Sequence, residues 1–103
     1  MLKSAQHKDY FEAILQLRPR DKELEDYVER RLKEKKDVRV SKRIEYKFGL
    51  DLYLNSKDFA RSITKRLRKA FEGEVTQSSK VHKTDRWTSK VLTRLTICFR
   101  RKV

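Results

Sequence analysis

Lys57, Arg61, Lys65 and Arg68 recur in a pattern that places charge on one side of a helix. At about 100° per residue they fall within one quadrant of the helical wheel. Four cations so arranged can follow the phosphates of a polyanion. The same spacing also describes an ordinary solvated helix face. A second group lies further along: Lys80, Lys83, Arg86, Trp87 and Lys90, with His82 among them. Here cations flank an indole. A ring in that company can stack on a base or a sugar while its neighbours hold phosphates. The alternative is a loop aromatic folded over a sheet edge.

Other chemistry is hard to assemble from these residues. His7 and His82 are the two histidines, and Cys98 is the single cysteine. A zinc site needs several ligands at fixed spacing, which these do not supply. Gly49 and Gly73 are the two glycines, too few and too far apart for a phosphate-cradling loop. Most carboxylates fall in one segment, mixed with Lys and Arg. Cys98 alternates with Ile97 and Phe99 and has no histidine at a telling distance, which fits a packed thiol better than a nucleophile. The expectation is a non-enzymatic chain with no metal and no cofactor.

Charge points to the partner. The chain carries 28 Lys/Arg against 15 Asp/Glu over 103 residues, a net of +13. Residues 1–37 hold 10 basic and 9 acidic side chains; residues 38–103 hold 18 and 6. The excess is therefore concentrated after residue 37, which suits a nucleic acid. No segment pairs a large apolar face with flanking aromatics as a membrane-surface helix does. No apolar run approaches the roughly 20 residues that cross a bilayer. With 37% apolar residues, one domain with a thin core is expected over 1–103, loose over residues 1–8. A lone cysteine and no apolar leader fit a cytoplasmic location.

The elements that position these residues follow from periodicity. Residues 10–18 alternate, with Phe11, Ala13, Leu15 and Leu17 on one face, and Pro19 stops the strand. Asp21 caps a helix whose apolar stripe is Leu24, Tyr27, Val28 and Leu32. Residues 38–48 alternate again, with Val38, Val40, Ile44, Tyr46 and Phe48 inward. Lys42 breaks that pattern and calls for a bulge or a strand start near residue 43. Residues 50–54 form the next strand. Ser56 caps the second helix, whose core stripe is Phe59, Ala60, Ile63, Leu67, Ala70 and Phe71. Gly73 can close that helix in a left-handed turn. Val75 to Val81 is a polar strand, residues 82–89 read as a loop, and Val91 to Phe99 alternate as the last strand. The order β-α-β-β-α-β-β predicts an α+β fold. It would be a two-layer, ferredoxin-like split β-α-β arrangement, with an antiparallel sheet, two helices on one face and an extra carboxy-terminal hairpin strand. The other face would be open and basic, with Arg39, Arg43, Lys47, Arg94 and Arg100. It offers few outward rings, Tyr53 beside Ile14 and Gln16, so base reading on the sheet is not expected.

Several short motifs in fixed order resemble the middle region of the Nmd-three family. They are Tyr10, Ala13, Gln16 and Arg18 in the first strand, then Gly49 to Tyr53. Ala60 follows in the helix, then Ser79, Lys80 and Val81 in shifted form, and Thr93 and Thr96 in the last strand. The resemblance spans about residues 8–100. It implies the role of an adaptor in large ribosomal subunit biogenesis and, in eukaryotes, export. It also implies likeness to a small ribosomal protein of the L-twenty-two-e type, which binds ribosomal RNA. The family's paired-cysteine zinc motifs and its carboxy-terminal barrel have no counterpart here, so a stand-alone module or a fragment is expected, and export is not implied. The expected partner is ribosomal RNA or the large subunit. The alternative is a protein-interaction domain that uses the open sheet face or an edge strand.

Overall fold

A computed structural model of the chain describes residues 10–84 and 91–102. Its elements are β1 (Ala13–Arg18), α1 (Lys22–Glu34), β2 (Val40–Tyr46), β3 (Gly49–Leu54), α2 (Lys57–Ala70), β4 (Gly73–Thr84) and β5 (Val91–Arg101). Both helices start on the caps that the sequence provides. Asp21 Oδ1 accepts from the backbone N–H groups of Glu23 and Leu24, at 2.9 and 3.2 Å. Ser56 Oγ accepts from Phe59 N–H at 3.0 Å. Each satisfies donors that a helix start leaves without partners. Asp21 also ties the far end of the chain to α1, because its Oδ2 lies 2.6 Å from Arg101 Nη1. Burial works to raise the Asp21 carboxyl, but the Leu24 N–H and Arg101 outweigh it and hold it below its ordinary range.

The end of α2 differs from expectation. Its C-cap is Phe71, in extended backbone, and no described glycine has positive φ. Gly73 serves close approach instead. A Cβ there would meet Arg100 O at 2.5 Å and Phe99 Cζ at 2.8 Å, so glycine lets β4 begin flush against β5.

The sheet is five-stranded with the order β2-β3-β1-β5-β4. The two helices and the α+β class are as expected, and β3 lies between β1 and β2 in a split β-α-β unit. The ferredoxin-like, purely antiparallel arrangement is not what forms. The last strand does not extend the edge; β5 inserts between β1 and β4 and runs parallel to β1. Burial explains the choice. Leu95, Ile97 and Phe99 are all buried, whereas β4 turns Val75, Gln77, Ser79 and Val81 to the same side. The apolar strand takes the centre and the polar strand the edge, because burial of a large aliphatic or aromatic side chain stabilises by about 1.5–3 kcal/mol.

Register then builds the core in rows. Leu54, Ala13 and Leu95 align across three strands, as do Leu52, Leu15 and Ile97, and Leu50, Leu17 and Phe99. Leu24 and Val28 from α1, and Phe59, Ala60, Ile63 and Leu67 from α2, close over those rows in one cluster. Both helices therefore cover the same face. Ala70, expected on the core stripe, is exposed.

The bulge in β2 falls between Val40 and Lys42. A one-residue slip turns every later side chain over. Ile44 and Tyr46 therefore face away from the helices, and Phe48 in the following turn is 57% exposed. Arg43, expected on the open face, lies on the helix side and pairs with Glu29 of α1. On the open face Arg18 and Asp51 form a buried ion pair at 2.7 Å. Phe48 and Tyr46, stacked 4.8 Å apart, lie against the Arg18 guanidinium. Gly49 makes room for it, since a Cβ there would collide with Arg18 and with Leu17 O.

Candidate nucleic-acid interface

α2 turns one face into the core and the other outward. Arg61, Lys65 and Arg68 are exposed along it. Beside them runs the start of β4, the sheet's edge. Between helix and strand lies a groove of about 830 Å³ lined by Arg61, Thr64, Lys65, Arg68 and residues 73–77. The groove forms because α2 packs over β1 and β5 and leaves the inner side of β4 partly uncovered. Val75, Thr76 and Gln77 give it a neutral far wall, with Glu74 as the one carboxylate in the lining. Thr64 does not present a donor, because its hydroxyl donates to Ala60 O at 2.7 Å. Arg61 is 3.8 Å from Asp58, whose side chain is 98% exposed, a pairing that solvent weakens strongly. Lys65 and Arg68 have no ion pair among the described residues. Three exposed cations thus line one wall of an open groove.

The structure brings together Arg61, Lys65 and Arg68 but treats the other expected residues differently. Lys57 is half-buried at the helix start. Its Nζ donates to Thr93 Oγ1 at 3.3 Å, and its N–H donates to Glu12 Oε1 at 3.1 Å. Lys57 therefore anchors α2 to β5 more than it faces the groove. Lys80 is exposed and stands opposite Arg94 in the β4–β5 ladder, so it belongs to the face away from the helices. His82, Lys83 and Thr84 continue β4 and do not form the expected loop; cross-strand hydrogen bonds need no apolar alternation. The Lys83 side chain, together with Arg86, Trp87 and Lys90, lies outside the described residues.

Sequence periodicity missed Phe11 and Lys42 as residues of the open face, whereas Arg94 lies on that face as expected. Phe11 was expected inward with Ala13, yet β1 begins only at Ala13 and the Phe11 ring lies against Tyr53 on the open face. A chain that precedes the strand need not keep its alternation. The break at Lys42 was the one signal in the sequence that this region departs from a simple pattern.

Tyr10 lies beside this face. Its hydroxyl donates to Glu12 Oε2 at 2.6 Å. Burial first, then that hydrogen bond and the Glu12 charge, push the phenol up to about 12.

Among the described residues no helix is long and apolar enough to cross a membrane. No curated protein matches the chain. A family model described as NMD3, second domain, matches residues 10–100. The match runs from the residue before Phe11 through nearly all of β5, taking in both helices and all five strands, and so the chain belongs to the NMD3 family.

Proposed function

We propose that this chain is a non-enzymatic module that holds ribosomal RNA of the large subunit, or of its assembly intermediates, along the groove between α2 and β4. Family membership ties it to the large ribosomal subunit. The observation that carries the RNA contact is the alignment of Arg61, Lys65 and Arg68 on one wall of that groove. An RNA backbone laid there would meet cations at helical intervals and exchange its counterions for them. On this reading the chain acts in the cytoplasm while bound to the subunit.

A protein partner is the second reading, and β4 favours it. It is an edge strand whose outer backbone groups can pair with another chain, and its Val81 is 65% exposed. Salt separates the two. Binding of large-subunit ribosomal RNA fragments, followed over a range of salt concentrations, should give a log–log slope of roughly −3 to −5 if about five phosphates are contacted. A flat slope would overturn the RNA reading in favour of strand pairing.

A further inference from the structure

The face of the sheet opposite α2 carries a row of side chains that the groove does not use. Lys42 stands on β2, Tyr53 on β3, Phe11 just before β1 and Arg94 on β5. Lys42 Nζ lies 5.6 Å from the centre of the Tyr53 ring. Tyr53 and Phe11 meet edge to face, 4.8 Å between centres with planes 79° apart. The Arg94 guanidinium carbon lies 3.9 Å from the centre of the Phe11 ring. Lys80 is opposite Arg94 on the edge strand. Two rings therefore sit in succession with cations at both ends. Phe11, Ser41, Lys42 and Tyr53 line a cleft of about 460 Å³.

Local structure sets this row in place. Val40 faces the helices, and in an unbroken strand Lys42 would do the same. The bulge between them brings Lys42 opposite Tyr53 instead. Ser41 Oγ donates to Tyr53 O at 3.4 Å within the bulge. Phe11 is held by its neighbour: Glu12 N–H donates to Leu54 O at 2.8 Å, and Glu12 O accepts from Leu95 N–H at 2.9 Å. Carboxylates near the row are already engaged. Asp51 pairs with Arg18, and Glu12 accepts from Tyr10 and from Lys57 N–H. Arg94 Nε is buried without a hydrogen-bond partner among the described residues.

The combination of rings and cations selects among ligands. A purely apolar partner would leave Lys42, Arg94 and Lys80 unused. An acidic peptide would make no use of two adjoining rings. An unpaired nucleotide uses both, because every base has a face that stacks and every linkage carries a phosphate. We propose that this row is a second RNA site for unpaired nucleotides, with bases against Tyr53 and Phe11 and phosphates at Lys42 and at Arg94 with Lys80. The site rests on the RNA reading above and adds to it a single-stranded ligand on the face away from the groove.

The test uses three probes on the whole chain: a single-stranded oligoribonucleotide carrying 2-aminopurine, an RNA duplex and a polyglutamate peptide. The oligonucleotide should bind with quenched 2-aminopurine fluorescence. Tyr53→Leu should weaken that binding about 5- to 100-fold, while duplex affinity holds. Tyr53→Phe keeps the ring and should keep both affinity and quenching. Lys42→Ala, at an exposed position where folding is not at stake, should weaken the oligonucleotide and reduce its salt slope by about one. Unchanged single-strand binding in both Tyr53→Leu and Lys42→Ala overturns the site, and if the duplex still binds, the groove reading survives it. Loss of duplex binding by the unaltered chain, with the single-strand effects intact, instead removes the groove and leaves this site standing. Polyglutamate binding that Lys42→Ala abolishes, with no oligonucleotide bound, overturns the site in favour of an acidic peptide.

Discussion

Asp51 and Arg18 show how a single pair can fix the open face. Arg18 is 9% exposed and Asp51 5%, and each is the other's nearest opposite charge at 2.7 Å. Arg18 also donates to Leu17 O at 3.0 Å. Removal of one partner strands the other charge away from water. Asp51→Ala should therefore cost about 3 kcal/mol in urea unfolding, and adding Arg18→Met should recover part of that loss. Tyr10 offers a second test at this scale. Its phenol is raised from 10.0 to about 12, so the fold holds that proton more tightly than the unfolded chain does. Its contribution to stability is complete below pH 10 and fades as pH rises through about 12. Ultraviolet titration should show a late phenolate step that Tyr10→Phe removes.

α2 does two jobs with two faces, and substitutions should separate them. Phe59 and Leu67 are buried against the sheet, whereas Arg61 and Lys65 are exposed to the groove. Phe59→Ala and Leu67→Ala should each cost about 2–4 kcal/mol, because each leaves a cavity that the sheet cannot fill by collapse. Arg61→Ala and Lys65→Ala should change stability by less than about 0.5 kcal/mol. Equal thermal shifts in all four would mean that the two faces are wrongly assigned. The same helix was readable from spacing alone, since Ser56, the apolar stripe and the basic stripe are all local features. β4 was only half readable. Its polar residues suggested a strand, but nothing local announced that it would end at the sheet edge and form the far wall of a groove.

The charge of the whole molecule is sorted by the fold. Near α1, acidic side chains are spent on cations: Glu25 pairs with Arg20, Glu29 with Arg43, and Asp21 and Glu23 with Arg101. On the outer side of α2, Arg61, Lys65 and Arg68 remain exposed. If the α2 surplus neutralises RNA phosphates, the double variant Arg61→Ala, Lys65→Ala should flatten the salt slope by one to two units, about one for each phosphate that is left without its cation. Binding isotherms of the same ribosomal RNA fragment at several salt concentrations read that change directly. An unchanged slope would place the phosphates elsewhere on the molecule.

Element order, both N-caps, the core alternation of β1, β3 and β5, and the two faces of α2 were determined by the sequence itself. Each depends on residues within a few positions of one another, where hydrogen-bond geometry and periodic burial act directly. The place of β5 was decided only by the tertiary structure. Strands compete for neighbours across the whole sheet, and Leu95, Ile97 and Phe99 won the buried position from the more polar β4. The faces of Lys42, Arg43 and Phe11 were likewise settled in three dimensions. Side chains alternate with a period of two, so one bulge residue, or one residue outside the ladder, reverses the surface to which they belong. The groove and the aromatic row both follow from those long-range choices.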